Sequence, residues 1–219
     1  MATTTRVSGN AGNLNFIGTG EQEQRYDEYG GAAVTQLLPS GLWLTQHGRT
    51  YVASQGVVAN AVVCVVDVPT TAAKYALYNG YAITTKTRLI IHRASLWLAS
   101  GTADTGASLL VGLSSAVQSS APTAATGAVI KSSSNSTRAT SAIFAGATTL
   151  AGAAAWESVA AVANGASTPP GTGAVSDDLS GMFIVSPTYA LGFAVLSGLG
   201  TTAKWGISIR FSEVELDLE

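Results

Sequence analysis

Hydrophobic and β-branched residues recur along the chain in short runs that turn residues separate. The central region, residues 57–113, contains the runs VVANAVVCVVDV, YALYNGYA, TRLIIHRASLWLA and SLLVGLS. None of these runs repeats at the period of a helix for three turns, and turn residues bound each one. The pattern is typical of strands in an antiparallel sheet, and the rest of the chain is organised around this region.

Three features of the central region give specific predictions. Residues 57–68 are apolar at both odd and even positions, which is typical of a strand covered on both faces, and Pro69 ends this strand. Asn79-Gly80 lies between two tyrosines and predicts a hairpin turn, because both positions tolerate positive φ. Residues 87–99 predict one long strand. Neither of its faces is purely apolar, so we expect both to be packed.

The C-terminal region has the clearest alternation. From Trp205 to Ser212, apolar residues at odd positions alternate with glycine and polar residues at even positions, which predicts a half-buried strand. After Ser212 the parity flips, so that Val214 is apolar and Glu213 is acidic. A flip within one continuous strand predicts a β-bulge or a change of sheet.

The flanking regions are less regular. Residues 114–181 are rich in Ala, Ser, Thr and Gly, and the stretch AGAAAWESVAAVA within them fits either a helix or, as we favour in a β context, a strand. Residues 34–54 predict short strands on either side of a turn at Pro39-Ser40-Gly41. Residues 1–32 hold too little apolar material for a core. They predict an extended N-terminal arm, with a disordered tail as the alternative.

These segments together predict an all-β fold with roughly eight to twelve strands and no long helix. The expected architecture is an antiparallel β-sandwich, jelly-roll-like or otherwise Greek key, with an extended N-terminal arm. Residues 33–219 would form the sandwich body, which includes the Ala/Ser/Gly-rich middle section at 114–181.

Composition favours an assembled subunit over a free monomer. Charged residues make up 11% of the chain and the formal net charge is −2, whereas about 25% charged residues is usual. So few charges favour self-association, and therefore a subunit whose surface is largely covered by neighbours rather than a weakly soluble monomer. The absence of a basic excess argues against direct nucleic-acid binding. No run is apolar enough for a signal peptide or a membrane span.

Residues for catalysis or metal binding are sparse. Cys64 allows no disulfide within the chain and should be a buried apolar residue. His47 and His92 are expected to be structural, because a metal site needs three or four convergent ligands. A Ser-His-Asp triad assembled across the fold stays open, although no G-x-S-x-G elbow occurs. The stretch 198–203 fits a dinucleotide fingerprint but precedes a strand, so it predicts a hairpin turn. We predict no enzyme, no metal and no cofactor.

The four tryptophans have two possible uses. They could form a platform on which a sugar stacks, but three of them fall in apolar strand runs, so we expect core packing. The four are Trp43, Trp97, Trp156 and Trp205.

Residues 70–117, TTAAKYALYNGYAITTKTRLIIHRASLWLASGTADTGASLLVGLSSAV, carry a resemblance. The segment resembles proteins encoded beside the major capsid protein in tailed bacteriophages, in which an xLYNG hairpin leads to a long strand and then an SGTA..GASLL return. The resemblance implies a cement or decoration protein of the phage head, with a β-sandwich or jelly-roll-like fold. It also implies a dimer or trimer that assembles in the host cytoplasm and binds the major capsid protein on the virion surface.

Two functional hypotheses follow from composition and resemblance. In the first, the protein stabilises the capsid shell, and the arm contacts the shell through Arg25, Tyr26 and Tyr29, with Trp43 near the junction of arm and body. In the second, it is a head-fibre or tail-tip module that recognises a cell-surface glycan through exposed Tyr and Trp side chains in loops.

Overall fold

The computed structural model describes residues 5–7, 22–24, 40–55, 57–101, 107–161, 175–179, 182–197 and 203–215. The chain divides into two compact units, Met1–Ser40 and Gly41–Glu219. In the first, Thr5–Val7 (β1) and Gln22–Gln24 (β2) form a two-stranded antiparallel sheet. The rest of the predicted arm lies outside the described residues.

The remaining described chain holds a short helix, α1 (Ser40–Gln46), two single 3₁₀ turns and a series of strands. The strands in chain order are β3 (Thr50–Gln55), β4 (Val62–Val63), β5 (Ala72–Ala73), β6 (Tyr75–Asn79), β7 (Thr87–Ser100), β8 (Ser108–Leu113), β9 (Val129–Ser132), β10 (Ala142–Ala145), β11 (Thr148–Thr149), β12 (Ala155–Ala161), β13 (Val175–Asp178), β14 (Ile184–Val185), β15 (Ala190–Leu196) and β16 (Lys204–Glu215).

The strands form two main antiparallel sheets, which confirms the predicted all-β antiparallel sandwich. The smaller sheet has the order β10-β6-β15-β8-β12, and the larger has the order β13-β7-β16-β3-β9, with β14 beside β7 and β4 beside β16. The pairings are nested: β3 pairs with β16, β6 with β15, β7 with β13, and β8 with β12. Within each sheet, a further pairing joins two of these pairs: β16 with β7 in the larger sheet and β15 with β8 in the smaller. This is the order that a long antiparallel ribbon acquires when it is wound on itself.

The two sheets share one hydrophobic core. Alternate residues of β16 point into it, and the smaller sheet contributes residues of β6, β8 and β15 from the opposite side. Trp205 is completely buried there, and its Nε1 donates to the Sγ of Cys64 at 3.0 Å. Cys64 is therefore a buried residue, as predicted. Each fully buried large side chain contributes about 1.5–3 kcal/mol of hydrophobic stabilisation.

A β-bulge interrupts the pairing of the two longest strands. Arg93 lies opposite Arg210, but the next pair is Ile91 with Phe211, so His92 is an extra residue on β7. The bulge explains why neither face of the long strand is purely apolar, because the core-facing parity changes across it. The irregularity that the C-terminal alternation predicts after Ser212 is wrong, because β16 pairs regularly with β7 from Phe211 to Glu215; the bulge lies between Arg210 and Phe211, and its extra residue is on β7.

Two predicted strands are wrong. Residues 57–68 contain a 3₁₀ turn and the two-residue β4, and Val66 and Val68 are more than half exposed. The reason is that this segment crosses between sheets: β4 pairs with β16, whereas Val65 pairs with Leu196 of the other sheet. The strand expected directly after the Pro39-Ser40-Gly41 turn is also wrong, since Ser40–Gln46 forms helix α1 and the next strand, β3, begins only at Thr50. The strand expected before the turn lies outside the described residues.

The Asn79-Gly80 turn is a corner between sheets and not a hairpin, because β6 and β7 belong to different sheets. Asn79 is completely buried, and its Nδ2 donates at 2.9 Å to the carbonyl oxygens of Thr87 and Val185. Its Oδ1 accepts from the Tyr81 amide at 3.1 Å. Hydrogen bonding, and not tolerance of positive φ, therefore explains the asparagine. The ambiguous alanine-rich stretch is strand β12, as favoured.

Candidate functional site on the outer face of the larger sheet

Of the four predicted contact residues, Trp43 alone lies in the described part of the chain. Arg25, Tyr26 and Tyr29 lie outside the described residues. Trp43 lies in α1, where the backbone is described and its side chain is not. Within the described residues, no helix is long and apolar enough to cross a membrane. Those residues also contain no group of three or more His, Cys, Asp and Glu side chains that could hold a metal ion.

His92 ends a chain of hydrogen bonds in the bulge of β7. Its Nε2 lies 2.8 Å from the Oγ of Ser212, which lies 3.0 Å from the Oγ1 of Thr50. Thr45 in turn donates to Thr50 at 3.2 Å. Burial lowers the pKa of His92, the charge of Asp178 opposes this, and the charge of Arg210 lowers the pKa further.

The pair of Ser212 and His92, with Asp178 nearby, has the residue types of a hydrolytic triad. Ser212 is completely buried, however, and Thr50 beside it is 4% exposed. A nucleophile must be reached by its substrate, and this hydroxyl is closed off on both sides by its hydrogen-bond partners. The arrangement is a buried structural link that joins α1, β3, β16 and β7.

A neutral His92 that accepts at Nε2 gives every hydroxyl of this link an acceptor. Thr45 donates to Thr50, and in this arrangement Thr50 donates to Ser212 and Ser212 donates to His92. Every hydroxyl then donates once, and His92 accepts at Nε2 as a neutral imidazole. The lowered pKa of His92 agrees with this direction.

A second buried polar cluster surrounds Glu213, which is 1% exposed. Its carboxylate accepts from the Oγ1 of Thr140. Burial and the nearby Glu213 carboxylate raise the pKa of Tyr51 to about 12, and the same two causes raise that of Tyr81. Thr140 belongs to the loop after β9, so Glu213 fixes that loop against the end of the sandwich.

The outer face of the larger sheet carries a basic row. Successive strands place the residues of this row directly opposite one another: Asp178, Arg93, Arg210, Val52 and Lys131. Asp178 and the three basic residues are exposed. The row holds three of the 11 Lys and Arg residues of the chain. Arg93 and Arg210 are directly paired across the strands, an arrangement that destabilises a sheet because the charges are alike.

A row of serines and then a tryptophan follow along the same face. Ser95, Ser208 and Ser54 lie opposite one another, two residues from the basic row. Two residues further, Trp97 lies opposite Gly206 and covers it, since a Cβ at Gly206 would come within 2.4 Å of the Cε2 of Trp97. We call this surface the Arg–Ser–Trp face; it consists of the basic row, the three serines and Trp97.

The structure corrects the expectation that the tryptophans pack in the core. Trp205 does so, whereas Trp97 is half-buried on the outer face and Trp156 is half-buried beside a smaller cluster. The period-two alternation of residues 93–97 already placed Arg93, Ser95 and Trp97 on one face. What the sequence did not reveal is that Arg210, Ser208 and Gly206 lie opposite them.

The surface also has an open groove of about 470 Å³. It lies between residues 118–126 and 146–149, and its walls carry hydroxyl, amide, proline, alanine and glycine groups. It therefore offers neither an aromatic ring nor a charge to a ligand. A comparison of the chain with protein-family models, curated proteins and solved structures finds no match.

Proposed function

We propose that this chain is a virion structural protein that binds and stabilises a bacteriophage capsid shell, as a cement or decoration protein. The observation that carries the proposal is the nested strand order. Eight main strands carry this order, namely β3, β6, β7, β8, β12, β13, β15 and β16. When they are numbered from one to eight along the chain, the first pairs with the eighth, the second with the seventh, the third with the sixth and the fourth with the fifth. That order fits a jelly roll, an architecture used by viral capsid and lectin domains.

The edges of the sandwich support a subunit that assembles through its faces. β12 lies beside β13 and β10 lies beside β9, so the outer strands of the two sheets approach each other on both sides. Covered edges prevent uncontrolled strand addition between copies. The low charge of the chain favours contact with other subunits, which we assign to the major capsid protein and to one or two further copies in a dimer or trimer.

The mechanism is linkage between binding and shell stability. A protein that binds only the expanded shell stabilises it, by about 2.7 kcal/mol per site at one hundred times the dissociation constant. The arm at residues 1–32 would lie over neighbouring capsid subunits, with Arg25, Tyr26 and Tyr29 in contact and Trp43 at its junction with the body. The protein would assemble in the host cytoplasm and remain on the surface of the virion.

The test is the heat stability of particles with and without the protein, measured as the temperature at which they release DNA. Particles that lack it should rupture at lower temperature, and adding the purified protein should restore the wild-type value. A variant without residues 1–32 should bind the shell more weakly, whereas a variant with Asn135→Asp in an exposed loop should behave as wild type. Equal rupture temperatures with and without the protein would contradict the proposal.

A second candidate is a head-fibre or tail-tip module that binds a cell-surface glycan, and the half-buried Trp97 on an outer sheet face favours it. The copy number in purified particles, measured by mass spectrometry, separates the two. A shell protein is present in a number set by the capsid lattice, whereas a fibre or tail component is present in only a few copies.

A further inference from the structure

We propose that the Arg–Ser–Trp face binds an acidic oligosaccharide, with a sugar ring on Trp97 and a carboxylate on the basic row. This inference goes beyond attachment to a shell and does not depend on it, since the surface belongs to the folded body of a single copy.

The charges of the face supply the first argument. The basic row contains three positive side chains and one negative one, which leaves two net positive charges on a chain whose formal net charge is −2. In the described part of the chain, no carboxylate lies within ion-pair distance of Arg210 or Lys131. Two arginines side by side on adjacent strands weaken a sheet. A ligand carboxylate between Arg93 and Arg210 would relieve that repulsion.

The geometry of the face supplies the second argument. One face of the Trp97 ring covers the backbone of Gly206, so the opposite face is directed outward. Trp97 and Arg93 are four residues apart on the same side of β7, which separates them by about 13 Å along the strand. Ser95 and Ser208 lie midway between them. A ligand that lies along the strand would therefore meet a ring, then hydroxyl groups, then guanidinium groups.

These three kinds of group match the parts of an acidic sugar chain. The apolar face of a sugar ring stacks on tryptophan, its hydroxyl groups exchange hydrogen bonds with serine, and its carboxylate accepts two parallel bonds from an arginine fork. Lys131 lies two strands beyond Arg210, about 10 Å away, and would attract a second carboxylate of the same chain.

An acidic peptide fits this surface less well. Peptides that bind sheets usually add a strand to an open edge, where backbone groups are unpaired. The ligand surface here lies mainly on β7, β16 and β3, and each of these strands has a neighbour on both sides. Only side chains are available to a ligand, and beside the charged groups they offer serine hydroxyl groups and one aromatic ring.

The experiment uses the purified full chain and two matched probes, tetragalacturonate and its methyl ester, which differ only in the carboxylate charge. Binding is measured by calorimetry, and contacts are mapped by NMR. Wild type should bind the acidic probe at least about 10-fold more tightly than the ester. Arg210→Gln and Arg93→Gln should reduce binding of the acid to the level of the ester. Trp97→Val should weaken both probes equally, because stacking does not depend on charge.

Lys74→Gln is the matched control, because it removes a positive charge next to the smaller sheet and should leave both affinities unchanged. Circular dichroism of each variant establishes that it is folded. If a variant fails to fold, the comparison of the two probes on wild type still decides whether the carboxylate is recognised. Equal affinity for acid and ester, no binding of either, or binding of a glutamate-rich peptide in place of both would overturn the proposal. Because no particles are used, these outcomes are independent of the test of shell binding.

Discussion

Acid should loosen the hydrogen-bond chain that ties helix α1 to the larger sheet. The chain requires His92 to accept from Ser212, and an imidazolium has no lone pair to accept with. Once His92 is protonated, it donates to Ser212, and one of the hydroxyl hydrogens of Ser212 and Thr50 is left without an acceptor. Both residues are buried, so the unmade bond costs about 1–3 kcal/mol. For a chain of this size the melting temperature should fall by about 2–12 °C.

The direction of the pH dependence follows from the pKa of His92. Burial lowers this pKa in the folded protein, the charge of Asp178 partly opposes the shift, and the charge of Arg210 lowers the pKa further. In the unfolded chain the pKa is about 6.5. Between that value and the lower pKa of the folded state, the unfolded chain binds more protons, so stability rises with pH. The stability is fully present above about pH 6.5 and is lost as the pH falls through the folded pKa.

The assay is the melting temperature from pH 8 to pH 5 for wild type, His92→Gln and Ser212→Ala. Other groups also titrate in this range, so the informative quantity is the difference between wild type and each variant. Ser212→Ala should be less stable than wild type at pH 8, and the difference should shrink toward pH 5, where the chain is already broken. A constant difference between wild type and Ser212→Ala at every pH would refute the reasoning.

Three further predictions concern the packing. Gly206→Ala should lower the free energy of unfolding by about 1–3 kcal/mol, because the added Cβ would lie 2.4 Å from Trp97. Most of that loss should vanish in the double variant with Trp97→Val, and urea titrations measure both differences. Asn79→Asp keeps the shape of the side chain but places an oxygen against two carbonyl oxygens, so it should lower the free energy of unfolding by more than about 2 kcal/mol. Asn135→Asp, at an exposed position, should leave the free energy of unfolding almost unchanged. The Cys64 thiol should react with an aromatic disulfide reagent at the rate of unfolding, measured by absorbance; rapid reaction in the native protein would contradict its burial.

The sequence predicted strands wherever one strand's own alternation was sufficient, as in β16, and it failed where pairing is decided between distant segments. The run at residues 57–68 is as apolar as a central strand, yet it lies partly against β16 and partly against β15. The pattern of a single segment contains no information about such a crossing. Asn79 illustrates the same limit, because its hydrogen-bond partners at Thr87 and Val185 lie on other strands.

The candidate site was less predictable than the fold, because it depends on register. Arg93 and Arg210 are separated by more than a hundred residues, and a shift of one position would pair each with a different neighbour. Trp97 sits between Leu96 and Leu98, so its neighbours favoured the core even though its parity grouped it with Arg93 and Ser95. The parity was the better signal.

One inserted residue connects the two polar features of the larger sheet. Before His92, the odd-numbered residues Leu89 and Ile91 face the core; after it, the even-numbered residues Ala94, Leu96 and Leu98 do. Without the insertion the original parity would continue, and Arg93, Ser95 and Trp97 would point into the core while leucines faced outward. The bulge therefore creates the Arg–Ser–Trp face. The residue that forms the bulge is also the acceptor at the end of the buried hydrogen-bond chain.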